Sequence, residues 1–161
     1  MRSSPPGRTS GIRYYDTSAV LPLYLDEPAT EAAHNALARD AGQLVTSVLT
    51  LVEVRSGLAR YGREGALSIS QIEAVFERAK RDLERTRRRL ELTTEVLTEA
   101  VRLFKAQTAL PLRTLDTLHV ATCLRYGTRG FVTNDRQQAR LAQAAGLDVH
   151  VLGNGHEGES S

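Results

Sequence analysis

The sequence predicts an α/β protein in which a central parallel sheet lies between two layers of helices, a three-layer α/β/α sandwich. Short apolar runs alternate with longer stretches of helical spacing, a pattern typical of parallel strands joined by right-handed helical crossovers. The length of 161 residues suits one domain of ordinary size. Hydrophobic residues make up 41% of the chain and charged residues 25%, which excludes a disordered chain, and no apolar run is long enough for a membrane span.

Each predicted element begins or ends at a local signal. Gly42 and Gly146 end the helices before them, Pro22 disturbs the first helix, and Ser70 is the predicted N-cap of a long helix. The predicted strands are residues 13–16, 44–47, 131–134 and 148–152. The predicted helices are residues 17–25, 29–41, 48–62, 70–90, 94–108, 114–125 and 136–145.

Residues 13–152 form one predicted domain. Residues 1–12 and 153–161 are rich in Ser, Pro and Gly, and we expect them to be flexible tails. The N-terminal segment lacks the apolar centre of a signal peptide, and the single cysteine, Cys123, cannot form an internal disulfide. These features predict a cytoplasmic protein.

Two acidic residues directly follow predicted strands. Asp16 comes after the first strand and Asp135 after the strand at 131–134. Parallel α/β sheets bind ligands beyond the carboxyl ends of their strands, so both residues stand where a site is expected. Each could also be the N-cap of the helix that follows it, and the two roles are compatible.

Two further acids stand in apolar surroundings. Glu53 is the only charged residue in the run 48–54, and a carboxylate buried without a partner is costly. Asp116 is the only acid of an apolar helix and lies in its first turn, where the helix dipole also favours a negative charge. His119, three residues later, is expected to be a structural histidine rather than a metal ligand.

Convergence of these four carboxylates would require a counter-ion. Ligand sets made only of oxygen select hard cations such as Mg²⁺ or Mn²⁺. One use of such a centre is the attack of metal-activated water on a phosphodiester.

The same four residues carry a resemblance to a known family. They lie in YYDTSAVLPLYLDEP, TSVLTLVEVRSGL, LRTLDTLHVATCLRYG and FVTNDRQQARLAQAAGLDV. In this order the segments resemble the PIN domain, and more closely the VapC toxins of bacterial toxin–antitoxin pairs. The resemblance covers residues 13–152.

The resemblance implies a Mg²⁺- or Mn²⁺-dependent endoribonuclease that acts as the toxin of a type II pair. The metal-binding and catalytic residues it implies are Asp16, Glu53, Asp116 and Asp135. It also implies a polar helper at Thr133 or Asn134, a homodimer, and a small antitoxin that blocks the acidic site.

The segment 78–89 concentrates positive charge, with seven cationic and two acidic residues. On the predicted helix its outward-facing residues would be Arg78, Arg81, Arg85, Arg88 and Arg89. Such a face is either simply solvated or in contact with the phosphates of an RNA.

Other functions fit less well. A receiver domain requires a pair of acids early in the chain, and a dehalogenase-type phosphatase requires an Asp where Ser18 stands. Two alternatives remain: a PIN nuclease of RNA processing without an antitoxin, and a non-catalytic RNA-binding module. Cleavage of RNA that depends on a divalent cation distinguishes the nucleases from the binding module.

Overall fold

The computed structural model describes residues 11–86 and 88–153, so the two predicted tails lie almost wholly outside the described residues. The strands are β1 (Arg13–Tyr15), β2 (Thr46–Ser47), β3 (Arg89–Leu90), β4 (Gly130–Thr133) and β5 (Asp148–Val151). The helices are α1 (Thr17–Val20), α2 (Thr30–Arg39), α3 (Leu49–Arg63), α4 (Ile69–Arg85), α5 (Thr94–Ala106), α6 (Thr114–Arg125) and α7 (Arg136–Ala144). A 3₁₀ turn, Leu21–Leu23, follows α1 at the predicted disturbance by Pro22.

All strand pairs in the described part of the chain are parallel. A three-stranded sheet has the order β1-β4-β5, and β2 pairs with β3. A parallel bridge between Tyr14 and Val45 joins the two parts. The strand order is therefore β3-β2-β1-β4-β5, and the carboxyl ends of all five strands lie at one edge.

Helices cover both faces of the sheet, which confirms the predicted three layers. On one face, Tyr14 stacks on Phe131 with ring centroids 5.6 Å apart and packs against apolar side chains of α5, α6 and α7. On the other face, Tyr15 and Val132 pack against α1, α2, α3 and α4. Successive residues of a strand point to opposite faces, so one short run of apolar residues serves both cores.

The long helix is shorter than its sequence pattern predicts. Its N-cap is Ser68 rather than Ser70, within a capping box completed by Gln71. It ends at Arg85 rather than near residue 90, because Thr86 is extended and its hydroxyl donates to the Leu44 carbonyl. The Arg88 carbonyl then accepts from the Thr46 N–H, and residues predicted as helix instead form β3.

Because α4 ends at Arg85, the five arginines of the predicted basic face do not all lie on one helix. Arg81 and Arg85 are exposed on α4, whereas Arg88 lies in a turn and Arg89 in β3. Arg78 is on α4, but its Nη2 donates to the Tyr24 carbonyl (2.9 Å) and its guanidinium lies 5.4 Å from the Tyr24 ring centroid. The positive charge is therefore not presented by one helix.

Among the described residues, no helix combines the length and apolarity that crossing a bilayer requires.

The pairing of β1 with β4 places Arg13 opposite Gly130. The Arg13 Nε lies 2.9 Å from both carboxylate oxygens of Asp40, and its Nη2 donates to the Ala36 carbonyl. A Cβ added at Gly130 would lie 2.5 Å from the Arg13 Cγ. Glycine is thus required where the arginine side chain crosses the neighbouring strand.

We therefore expect Gly130→Ala to lower the free energy of unfolding by about 1–3 kcal/mol, the usual cost of overpacking. The cost should fall below about 1 kcal/mol in an Arg13→Ala background, where the Cγ is gone and only the Cβ remains, 3.2 Å from the added Cβ. A double-mutant cycle in urea measures this coupling. Equal costs in both backgrounds would contradict the contact.

Candidate active site

Asp16 lies directly after β1, at the carboxyl edge of the sheet, and is only 3% exposed. Its Oδ1 accepts hydrogen bonds from the Ser18 hydroxyl (2.6 Å) and the Ala19 backbone N–H (3.2 Å). Its Oδ2 accepts one from the Thr133 hydroxyl (2.6 Å). Asp16 is thus the N-cap of α1, and within the described part of the chain no cation pairs with it.

Glu53 projects from α3 towards the same edge. Its Oε1 accepts from the Thr17 hydroxyl (2.8 Å) and from the Nε2 of His119 (2.5 Å). The other ring nitrogen of His119, Nδ1, lies 2.5 Å from the Tyr14 hydroxyl. Because a carboxylate only accepts, the Nε2 atom carries the hydrogen of its bond to Glu53.

Asp116 and Asp135 are bridged by an arginine. The Nε of Arg113 donates to the Oδ2 of Asp116 (2.8 Å), and its Nη2 donates to the Oδ2 of Asp135 (3.2 Å). The Arg113 side chain is 63% exposed. Asp135 is also the N-cap of α7 through the backbone N–H groups of Gln137 and Gln138, as predicted for its structural role.

One network of hydrogen bonds and chain neighbours links all four acids. The Thr133 hydroxyl donates to Asp16 and accepts from the Asp135 backbone N–H (3.1 Å). Thr17 connects Asp16, its neighbour in sequence, with Glu53. The acids therefore share one edge, although no three His, Cys, Asp or Glu side chains of residues 11–86 and 88–153 form a ready metal cluster.

Burial and hydrogen bonding set the charges of these acids differently. Burial raises the pKa of Asp16 to about 6, against the opposing effects of His119 and the Ser18 and Thr133 hydroxyls. Burial also raises the pKa of Asp116, against the attraction of Arg113. Burial acts to raise the pKa of Glu53 too, but the hydrogen bonds from His119 and Thr17 outweigh it and the pKa is lowered.

The two predicted helpers differ in their contacts. The Thr133 side chain binds Asp16, whereas Asn134 takes part through its backbone N–H, which donates to Ser18 Oγ (2.8 Å). His119 is buried and holds one oxygen of Glu53.

Sequence reasoning did not find Arg113, Ser18 or Gln138 as site residues. Gln138 ties the starts of two helices together, since its Nε2 donates to the Asp116 carbonyl (2.9 Å) and its backbone N–H to Asp135. The spacing of Arg113 three residues before Asp116 is a local signal that could have revealed their ion pair. Nothing local points to the contacts of Ser18 and Gln138 with distant elements.

Comparison with known proteins identifies the family of this chain. A family model of the PIN domain matches residues 13–144. No curated protein has a sequence that matches this chain significantly.

Solved structures share the fold at low sequence identity. VapC20 from Mycobacterium tuberculosis, a sarcin-ricin loop cleaving toxin, has a TM-score of 0.66 and 18% identity, covering 84% of this chain and 96% of that one. FitAcB from Neisseria gonorrhoeae has a TM-score of 0.63 and 18% identity over 86% and 96% of the two chains. VapBC-5 from Mycobacterium tuberculosis, of the VapBC family of toxin-antitoxin systems, has a TM-score of 0.59 and 18% identity, covering 87% of this chain and 98% of that one.

These structures support the fold alone, whereas the family model spans most of the chain and includes all four acids. The chain belongs to the PIN domain family.

Proposed function

We propose that this PIN domain is a Mg²⁺- or Mn²⁺-dependent endoribonuclease and the toxin of a type II toxin–antitoxin pair. The observation that carries the proposal is Asp16, a carboxylate buried at the sheet edge and surrounded by hydroxyl and N–H donors but by no paired cation among the described residues. Burial of a carboxylate without a counter-ion is costly. Three more carboxylates lie along the same network, and a bound cation would supply the missing charge.

The donor set fits a hard divalent cation. All four acids offer carboxylate oxygens, the ligands that Mg²⁺ and Mn²⁺ prefer. Asp16, Glu53 and Asp116 would hold the metal directly or through water, and Asp135 would complete the set. When bound, the metal supplies activation of a water molecule and stabilisation of charge that develops on the phosphate.

The surrounding residues hold these carboxylates in place. Ser18 and Thr133 fix both oxygens of Asp16, and His119 fixes one oxygen of Glu53. Arg113 keeps Asp116 and Asp135 neutralised in the metal-free protein, and its exposed side chain can leave them without disturbing the core.

Other surfaces support the proposed partners. Val52 is 69% exposed and Leu115 is 45% exposed, and each directly precedes an acid of the site. A small antitoxin could pack an apolar segment there and insert an arginine, whose planar fork matches carboxylates.

The α5 helix supports the proposed homodimer. Leu97, Val101 and Phe104 form a stripe on its exposed face, with exposures of 48%, 53% and 38%. We assign this stripe to contact with a second copy of the chain, because exposed apolar patches mark interaction surfaces.

A nuclease of RNA processing without an antitoxin is the second candidate function. A short reading frame beside the gene would favour the toxin. Both functions place the protein in the cytoplasm with its RNA.

The central test is cleavage of a labelled RNA. With Mg²⁺ or Mn²⁺ present, we expect Asp16→Asn to lower the rate more than about 100-fold, because one ligand charge is lost. EDTA should abolish RNA cleavage by the wild type, and an excess of Mn²⁺ should restore the cleavage. The exposed acid Asp26 provides the control Asp26→Asn, which should cleave like the wild type. Metal-independent cleavage, or an active Asp16→Asn, would refute the proposed centre.

The metal-free protein should lose stability as Asp16 ionises. Its pKa is raised from the ordinary 3.8 to about 6, so folding favours the protonated form. This contribution to stability is present below about pH 4 and is lost as the pH rises through about 6. In EDTA at neutral pH, Asp16→Asn should therefore raise the free energy of unfolding by up to about 3 kcal/mol, at about 1.4 kcal/mol per pKa unit.

Urea unfolding at several pH values checks this difference, which should shrink towards zero near about pH 4. Added Mn²⁺ should stabilise the wild type and not the variant. An Asp16→Asn protein that is less stable than the wild type at every pH would contradict the argument.

Removal of the arginine bridge should favour the metal. Arg113→Gln frees two carboxylates from a competing cation, so Mn²⁺ affinity should rise about twofold to fivefold, as expected for an exposed ion pair. Calorimetric titration measures the affinity. Arg136→Gln, an exposed change at the start of α7, should leave it unchanged. Unaltered or weaker binding by Arg113→Gln would show that the bridge does not compete with the metal.

A further inference from the structure

A second charged region lies at the opposite edge of the sheet from the acids. An open cleft of about 930 Å³ lies at the amino ends of the strands. Its charged lining residues are Arg13, Arg39, Arg88, Arg129, Asp40 and Asp148. Neither the metal site nor the proposed antitoxin surface uses this cleft.

The topology brings these arginines together. Arg13 begins β1, Arg88 directly precedes β3, and Arg129 directly precedes β4. Because the strands are parallel, their amino ends lie at one edge. Arg39, the last residue of α2, reaches the same cleft, so four chain segments that are distant in sequence each contribute one guanidinium group.

Three of the four arginines have charge available for a ligand. Arg13 is engaged by Asp40. Arg39, Arg88 and Arg129 are exposed, and no carboxylate of residues 11–86 and 88–153 lies within 4.0 Å of them. The positive field reaches His150 nearby, whose pKa is lowered by burial and then by Arg13 and Arg39.

The cleft also offers a flat aromatic surface. Tyr126 lines it with 43% of its surface exposed, and its hydroxyl donates to the Glu91 carbonyl (3.1 Å), which fixes the ring. Gly127 and Gly130 form part of the same wall without side chains. Bases of single-stranded nucleic acids stack on such aromatic rings, and arginine forks bind their phosphates.

We propose that this cleft binds a short segment of single-stranded RNA, with backbone phosphates at Arg39, Arg88 and Arg129 and one base on Tyr126. The choice of an RNA strand over a free nucleotide, which has the same chemistry, rests on the proposed function. The cleft would be a second contact for the RNA, separate from the acidic site and at the other end of β1. Arg88, predicted from sequence as part of a basic helix, acts here in a different setting.

The test measures the binding of a fluorescein-labelled RNA oligonucleotide by anisotropy, with the full chain in EDTA to prevent cleavage. The double variant Arg88→Glu/Arg129→Glu should bind at least about tenfold more weakly, because two phosphate contacts become repulsive. The slope of the logarithm of the RNA association constant against the logarithm of the salt concentration should become less steep by about 1.4. This is about 0.7 for each of two lost phosphate contacts on a single strand. Tyr126→Leu should weaken binding about tenfold through loss of stacking.

The control is Arg63→Glu, a charge reversal at the exposed end of α3, which matches the single variants Arg88→Glu and Arg129→Glu in charge. It should change the affinity less than about twofold, as a remote surface charge does. Circular dichroism melting verifies that each variant is folded. The neutral double variant Arg88→Gln/Arg129→Gln should also lose RNA affinity, but less than the charge-reversed one. Wild-type affinity and salt slope in the double variant would overturn the proposal. An equal loss in Arg63→Glu would overturn it too, since the effect would then be only one of net charge.

Two further arms separate the sources and the functions. Competition by adenosine monophosphate as strong as that by unlabelled RNA would overturn the assignment to a strand in favour of a free nucleotide, and weak competition supports the strand. If the wild type binds RNA through the cleft but does not cleave it with Mn²⁺, the proposed nuclease fails while the cleft stands. If the wild type cleaves RNA and the double variant binds RNA normally, the proposed nuclease stands and the RNA-binding cleft is refuted.

Discussion

The parallel pairing of β1 with β4 is the contact on which the rest of the molecule depends. It is only three residues long, from Arg13 opposite Gly130 to Tyr15 opposite Val132. At its carboxyl end it brings Asp16 to the Thr133 hydroxyl, which begins the network of the acidic site. At its amino end it lays Arg13 across Gly130 and against Asp40. Between these ends it supplies the central residues of both cores, since neighbouring residues point to opposite faces.

The acidic site departs from the rule that buried charges are paired. Asp16 has hydrogen-bond donors but no paired cation in the described part of the chain, whereas Asp116 and Asp135 share an arginine that lies mostly in solvent. A fold selected only for stability would avoid the first arrangement and gain little from the second, because exposed ion pairs contribute little. Both features fit a site whose negative charge is balanced by a cation that binds from solution.

Much of this was predictable from sequence, because the signals were local. The alternation of apolar runs and helical stretches predicted the parallel sheet. Among the described residues, four of the five strands and the seven helices overlap the predicted ranges, although α1 ends already at Val20. Asp16 and Asp135 could be placed at the carboxyl edge of the sheet because each closely follows a strand in the sequence. The boundaries of α4 were wrong, although the Ser68 to Gln71 spacing is a capping-box signature that marks its true start.

The parts that escaped prediction depend on tertiary contacts. The strand β3 has two residues in an arginine-rich stretch of helical spacing, and only backbone bonds to β2 and the bond from Thr86 to Leu44 end the helix before it. Glu53 finds its partner 66 residues away in His119, so inspection of its own helix could not identify it. The convergence of Arg88 and Arg129 likewise follows from the order of strands in the sheet.

The hydrogen bond between Tyr14 and His119 joins the interior to the acidic edge. Tyr14 is fully buried and stacked on Phe131, and the histidine it binds holds an oxygen of Glu53. The position of that oxygen therefore reflects how the aromatic rings pack, three side chains deeper in the protein. A substitution at Tyr14 or Phe131 would therefore alter the position of the Glu53 carboxylate as well as the packing of the core.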